Sequence, residues 1–322
     1  MDNDLIIEKN KKWKSKPEPF LTVMTPVYNR RSTIRRAIDS VEKQTFRNIE
    51  YIIIDDGSSE SIDDIVQEYM HSTKLPVMFV KKANGGVHTA RNIGYQQARG
   101  ELVLCIDSDD ELLPEACEVF HKTWLSIPEE KRAKYWQIKA QCIDQNGIIA
   151  GSLFPKNINQ MSSSDSKRYF SMARGEQIGC RVVDIMKKNL FPEPLGITFV
   201  AENIRWIPLE SKYRSWGIND VVRVYHKEGE DHLSTKNRKK TKQQLKNLIW
   251  NIAYQLNNQQ IFNYGFMMRF KLVAQYDVYM SFYEKTGDDT FICENKLKGL
   301  FNRFWGLFLW LPARIIAFRY NN

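Results

Sequence analysis

Residues 21–55 read LTVMTPVYNRRSTIRRAIDSVEKQTFRNIEYIIID, and this stretch decides the fold. Leu21 to Thr25 is a β-rich apolar run, and Ile49 to Ile54 is a second that ends at Asp55. Between them, Ile34, Ile38 and Val41 fall at helical spacing within a helix predicted over Ser32 to Gln44. Strand, amphipathic helix and strand make one βαβ unit. The alternation continues with a helix from Ile62 to Met70, a strand from Val77 to Val80, a helix from Val87 to Ala98 and a strand from Leu102 to Ile106. Pro114 then opens a further helix, where its missing N–H costs nothing. Strands that are apolar throughout, alternating with helices, predict a mostly parallel sheet covered on both faces.

After about residue 134 the pattern loosens. Tyr135 to Ile143 and Ile148 to Leu153 flank Asp144-Gln145-Asn146-Gly147, an Asn-Gly hairpin signal. Residues 155–175 are polar and Ser-rich, which predicts a mobile loop, and Ser215 to Tyr225 reads as a strand. From Lys236 the chain is basic and helical, with aromatic residues at Trp250, Tyr254, Phe262, Tyr264 and Phe266. Residues 1–19 read as a polar N-terminal arm.

Of 322 residues, 43% are hydrophobic and 26% charged, which suits a globular chain and excludes disordered and collagen-like classes. Lys plus Arg number 47 against 38 Asp plus Glu; residues 235–322 hold 14 and 5 of these, so residues 1–234 balance at 33 each. The excess charge of +9 therefore belongs to the C-terminal region, which suggests contact with an anionic surface. Cys105, Cys117, Cys142, Cys180 and Cys293 are odd in number and contain no C-x-x-C pair, so they read as reduced thiols rather than a disulfide or zinc framework. The N-terminal sequence lacks the apolar centre of a signal peptide, and no run of about 18 apolar residues exists to span a bilayer. The expected compartment is the cytoplasm.

Ligands of open parallel sheets bind beyond the carboxyl ends of the strands. Three such loops are polar: Thr25-Pro26-Val27-Tyr28-Asn29, Asp55-Asp56-Gly57-Ser58 and Asp107-Ser108-Asp109-Asp110. Read singly, the second is an ordinary capped turn and the third a chance pair of acids. In succession, each just after an apolar strand, they converge five aspartates on one sheet edge. A divalent cation relieves their repulsion; oxygen ligands favour Mg²⁺ or Mn²⁺, which keep waters and bridge to phosphates, so a nucleoside diphosphate is the natural partner.

LTVMTPVYNR, IEYIIIDDGSSE and NGGVHTARNIGYQQARGELVLCIDSDDEL together resemble the N-terminal half of family 2 glycosyltransferases with the GT-A fold. The likeness is dense over residues 20–125, looser to 234 and absent beyond. It implies a GT-A catalytic domain over 20–234, with a nucleotide-sugar-binding half (20–125) and an acceptor-binding half (126–234), followed by a helical C-terminal region (235–322). It further implies an inverting transfer from a UDP-sugar to a saccharide or polyprenyl-linked acceptor, of the kind that builds surface polysaccharide. Carried over, Pro26, Tyr28 and Asn29 form the nucleoside loop. Tyr28 stacks on the base, and Asp56 accepts from an imide N–H, which favours uracil. Arg91 reaches toward the nucleotide or sugar. Asp107-Ser108-Asp109 is the D-x-D element; Asp109 or Asp110 ligates the metal while a neighbouring carboxylate meets ribose or sugar, and His226 meets metal or diphosphate. The family's general base lies in a Glu-Asp pair opening a helix. Here that segment reads Ala201-Glu202-Asn203, so the second acid is absent and Glu202 is the base the resemblance leaves.

Two other readings compete. A sugar nucleotidyltransferase also uses carboxylate-held Mg²⁺, but needs a Gly-rich basic loop where this chain has Pro26-Val27-Tyr28-Asn29. A non-catalytic nucleotide-sugar-binding protein needs no Glu202. Charge alone permits nucleic acid, yet no reading motif accompanies the basic run from Lys236 to Lys242. In the tail, 297–320, Phe301, Phe304, Trp305, Phe308 and Leu309 share one helical face. Lys296, Lys298, Arg303, Arg314 and Arg319 flank it, the pattern of a helix lying in the interface of an anionic membrane, here the inner face of the plasma membrane. Packing on the protein's own core or a homodimer contact is the alternative.

Overall fold

A computed structural model describes residues 5–15, 18–161, 175–226, 240–258, 265–284, 289–298, 302 and 304–306. The chain divides into two compact units, one of Met1–Phe191 with Lys212–Glu230, the other of Pro192–Ser211 with Asp231–Asn322. Residues 192–211, read above with the acceptor-binding half, thus group with the C-terminal helices.

The first unit carries the sheet. Its elements are β1 (Ile6–Lys9), α1 (Lys12–Ser15), β2 (Leu21–Val27), α2 (Ile34–Glu42), β3 (Ile49–Asp55), α3 (Asp63–Ser72), β4 (Val77–Lys81), α4 (Val87–Gln97), β5 (Leu102–Cys105), β6 (Glu111–Leu112), α5 (Ala116–Ser126), α6 (Glu129–Arg132), β7 (Tyr135–Asp144), β8 (Gln177–Val182), α7 (Val183–Lys187) and β9 (Arg214–Tyr225). The strand order is β1-β4-β3-β2-β5-β8-β7-β9-β6. The four strands β4, β3, β2 and β5 run parallel, as their apolar sequences predict. Every residue of β2 and β3 is buried, because helices cover both faces. In α2, Ile34, Ala37, Ile38 and Val41 make the buried stripe. Antiparallel pairings flank this centre, with β1 on β4, β8 between β5 and β7, and β6 on β9.

The N-terminal arm is more structured than its polarity suggests. β1 extends the sheet past β4, and Asn10 plugs the gap behind it, its side chain donating to Leu75 C=O (2.9 Å) and accepting from Val77 N–H (3.1 Å). Trp13 is buried and lies 4.2 Å from the Arg99 guanidinium. Arg99 also pairs with Glu50, a fully buried acid in β3 that accepts from Arg99 Nε (2.7 Å), Arg99 N–H (2.8 Å) and Thr22 Oγ1 (2.8 Å). A buried carboxylate is tolerable only when paired and bonded in this way.

The predicted hairpin forms its turn but not its second strand. Asp144 Oδ1 accepts from Asn146 N–H (2.9 Å) and Ile148 N–H (3.0 Å), and Gly147 takes φ 78°. Beyond it, among the described residues, only isolated bridges occur, Ile143 to Ile149 and Gly151 to Gly175, and Ile148 and Leu153 stay exposed. β7 instead pairs with β8 and β9. Of the loop predicted over 155–175, residues 155–161 turn back to bury Phe154 and Ile158, and 162–174 lie outside the described residues.

The second unit is helical, with α8 (Asn203–Lys212), α9 (Lys242–Asn257), α10 (Gly265–Tyr283) and α11 (Asp289–Glu294). Thr241 and Gln244 form a capping box at the start of α9. α9 lies along α10; Leu245, Ile249, Ile252 and Leu256 are buried on the first and Val273, Tyr276 and Met280 on the second. Of the amphipathic tail, Asn302 donates to Leu256 C=O (3.2 Å) and Trp305 meets Phe270 edge-on at 5.2 Å. Residues 299–301, 303 and 307–322, which hold most of its apolar face, lie outside the described residues. Among the described residues no helix is long and apolar enough to cross a membrane.

Candidate active site

The three polar loops leave the ends of β2, β3 and β5 side by side. Pro26 lies within β2 opposite Ile54, and Asp56 N–H donates to Val27 C=O (2.8 Å), joining the first loop to the second. Asn29 completes the seam at a positive φ of 51°. Its N–H donates to Ser58 Oγ (3.0 Å), and its Oδ1 accepts from Ser59 N–H (2.8 Å) and Ser59 Oγ (3.0 Å). Tyr28 is left 49% exposed at the rim, a ring face open to a ligand.

Asp55 and Asp56 have different tasks. Asp55 Oδ1 caps the turn, accepting from Ser58 N–H (3.0 Å) and Oγ (2.6 Å). Asp56 is buried in a cradle, accepting from Lys82 Nζ, Gly85 N–H (3.0 Å) and Gly86 N–H (2.8 Å). Gly57 is required here. Its φ is 74°, and a Cβ would lie 2.6 Å from Asn84 N. These contacts fix the loop ahead of α4, whose first turn holds His88.

His88 is 1% exposed, and neither ring nitrogen has a hydrogen-bond partner among the described residues. Burial depresses its pKa to about 4. The folded value lies below the unfolded one, so the unfolded chain binds more protons in between, and stability falls as pH drops from about 6.5 toward 4. The loss is on the order of 2 kcal/mol at pH 5. Urea unfolding of wild type and His88→Leu at pH 7 and pH 5 measures it. The variant should lose less stability than wild type between the two, and equal losses would refute the assignment.

The third loop is a charge network. Asp110 is 1% exposed; its Oδ1 accepts from His226 N–H (3.0 Å) and its Oδ2 lies 3.2 Å from Arg223. Burial pushes the Asp110 carboxyl up to about 7, opposed by Arg223. Arg223, itself buried, also reaches Glu176 (3.0 Å), Asp107 (3.8 Å) and Cys142 Sγ (3.2 Å). Burial works against its charge, but Cys142 and the surrounding carboxylates outweigh that and raise its pKa above the usual arginine value. Asp107 is shared with Arg91 (3.4 Å). Asp109, partly exposed, lies 3.6 Å from Arg30, while Arg36 holds its backbone carbonyl. Ser108 is buried. The β6–β9 pairing sets Glu111 opposite Val224 and so delivers His226, whose Nε2 lies 3.2 Å from Glu111 Oε1.

The first unit therefore brings together Pro26, Tyr28, Asn29, Asp56, Arg91, Asp107, Ser108, Asp109, Asp110 and His226. Among the described residues no three His, Cys, Asp or Glu side chains converge as a complete metal cage. Mg²⁺ and Mn²⁺ also bind in another mode, taking one or two protein ligands and completing the shell with waters and phosphate oxygens. Sequence reasoning missed Arg223, Glu176 and Lys82. A lone Arg between Val222 and Val224 in an apolar strand is a signal for the first, since a buried charge requires partners. Glu202 belongs to the second unit, at the entry to α8, where its C=O accepts from Arg205 N–H (2.9 Å) and Trp206 N–H (3.0 Å) and its Oε2 from Trp206 Nε1 (2.8 Å).

Residues 22–128 match the family model described as Glycosyl transferase family 2. The chain carries a family 2 glycosyltransferase domain. EpsH of Bacillus subtilis, a putative glycosyltransferase, is 38% identical over 107 residues, covering 33% of this chain and 30% of that protein. The GalNAc(5)-diNAcBac-PP-undecaprenol beta-1,3-glucosyltransferase of Campylobacter jejuni is 27% identical over 211 residues, 64% of each. The chain spans about a third or less of the length of the first curated relatives it matches. The crystal structure of S. aureus TarS 1-349 in complex with UDP-GlcNAc superposes with a TM-score of 0.57 at 16% identity, covering 94% of this chain and 92% of that one. That likeness establishes the GT-A fold around the glycosyltransferase domain.

Proposed function

We propose that the chain is an inverting, metal-dependent hexosyltransferase that moves sugar from a UDP-sugar to a hydroxyl of a saccharide or lipid-linked saccharide, in the assembly of surface polysaccharide. The observation that carries the reading is the stitched trio of loops, in which one edge of the parallel sheet presents an exposed aromatic ring, an aspartate in an N–H cradle and a partly exposed aspartate backed by arginines. In this reading Tyr28 stacks on uracil, and Asp56, oriented by Gly85, Gly86 and Lys82, takes the base imide. Arg91 and Asp107, already paired, with Ser108, line the ribose and diphosphate. Among the acids we assign Asp109 to the metal, because its side chain is partly exposed whereas that of Asp110 is buried against Arg223 and His226 N–H. Asp110 then holds His226 in place as the second ligand. A bound Mg²⁺ or Mn²⁺ would neutralise charge on the departing diphosphate.

Glu202 would accept the proton of the attacking hydroxyl, the task its exposed carboxylate and the adjacent Asn203, which cannot accept that proton, leave to it. TarS is named in complex with UDP-GlcNAc and the Campylobacter relative acts on an undecaprenyl-linked acceptor; both favour a UDP-sugar and a lipid-linked saccharide here. The amphipathic tail would dock the enzyme to the anionic membrane bearing that acceptor.

A nucleotide-sugar screen tests the reading. UDP and at least one UDP-sugar should raise the melting temperature in Mn²⁺ and lose that effect in EDTA, and UDP release should accompany turnover. Stabilisation by nucleoside triphosphates with no response to any UDP-sugar would favour the nucleotidyltransferase alternative.

A further inference from the structure

α9 presents an unusual stripe. Gln243, Asn247, Asn251 and Gln255 recur every four residues on one face, and the last three are buried. Asn is a poorer helix former than Ala or Leu, and a buried amide is costly unless every polar atom is met. All four reach the segment 196–203, which leads into α8 and joins no strand among the described residues. Gln243 Nε2 donates to Gly196 C=O (2.9 Å). Asn247 accepts from Thr198 N–H and donates to Thr198 Oγ1, both at 3.1 Å. Asn251 accepts from Ala201 N–H (2.8 Å) and donates to Phe199 C=O (2.9 Å). Gln255 Oε1 accepts from Asn203 Nδ2 (3.5 Å). The helix thus meets backbone groups of the segment at Gly196, Thr198, Phe199 and Ala201.

The last two rungs hold Ala201 and Asn203, the residues on either side of Glu202. We propose that the amides of α9, Asn251 and Gln255 above all, are positioning residues that fix the backbone at Glu202 and so aim its carboxylate, an inference that rests on Glu202 being the general base. It also gives the missing second acid a role. Asn203 offers Gln255 an N–H donor that an aspartate lacks. A general base works only within a narrow geometry, and a shift of about 1 Å costs about 100-fold in rate.

The test uses the full chain and UDP release from whichever of UDP-glucose, UDP-galactose and UDP-GlcNAc the wild type turns over. Asn251→Leu keeps the branched shape, with a larger volume, and removes both bonds to the segment together with the one to Asn247 C=O (2.7 Å). It should lower kcat about 100-fold, leave UDP affinity within about two-fold, and speed amide hydrogen exchange in peptides covering 198–203. Ile252→Ala, a buried truncation on the same helix, should lower the melting temperature at least as much while kcat stays within about two-fold. Because Asn251 acts through Glu202, the double variant with Glu202→Gln should be no slower than Glu202→Gln alone. Unchanged exchange, an intact kcat in Asn251→Leu, equal loss in Ile252→Ala, or multiplicative losses in the double variant each overturn the proposal. If Glu202→Gln itself keeps its turnover, the base assignment has failed instead, and hydrogen exchange still reports on the amide stripe. Gln255→Leu, which removes only the outer rung, carries the same test if Asn251→Leu does not fold.

Discussion

Glu202→Gln is expected to lower sugar transfer by about 10²–10⁴-fold, the usual value of a positioned general base. The substitution keeps the side chain's shape and its acceptor oxygen for Trp206 Nε1, now 2.8 Å away, so the local structure has little reason to move. What it removes is the capacity to take a proton from the acceptor hydroxyl. Affinity for UDP should stay within about two-fold in calorimetry, because no role in nucleotide binding is assigned to Glu202. The pH dependence of kcat should also lose its acidic limb, which reports ionisation of the base in the loaded enzyme. Turnover within a few-fold of wild type would remove Glu202 from the mechanism.

Asp109→Asn should cost at least about 100-fold in transfer, the upper range found even for groups that only support a metal ligand. A neutral amide oxygen is a poorer donor to a hard cation. UDP binding should weaken in Mn²⁺ and be nearly unchanged in EDTA, since the variant's defect is confined to the ion-dependent part of affinity. The pairing with Arg30 at 3.6 Å is long and about a third in solvent, so its loss should barely alter the melting temperature. A variant that binds UDP as tightly as wild type in saturating Mn²⁺ would refute the role given to Asp109.

The parallel centre of the sheet was legible because each of its strands is a continuous apolar run, a pattern that few other structures produce. The positions of Asp55, Asp56 and Asp107 were legible for the same reason, as the first polar residues after such runs. Other parts were hidden by the assumption that polar means exposed. Asn247, Asn251 and Gln255 look like a solvent face, and only the backbone they satisfy explains their burial. β1 escaped notice because a short strand at a sheet edge keeps Ile6 and Ile7 half in solvent and needs no long apolar run. The second arm of the hairpin was over-read. Asn146-Gly147 specifies a turn, but Gly151 and the exposed Ile148 and Leu153 give the following segment too little to pair or bury. Segment 192–211 gave little sequence signal for the helices it joins, since many of its bonds to α9 are made by backbone groups that every residue carries.

Arg223 carries a consequence for how the acidic loop responds to its surroundings. A loop organised by a metal alone obeys mass action, losing its shape whenever the free ion falls below the dissociation constant. A guanidinium tethered to β9 sits among Asp107, Asp110 and Glu176 at a fixed effective concentration that no chelator can lower. The loop is therefore pre-organised whatever the free ion concentration, and an ion bound there would not consume its binding free energy in folding its own ligands.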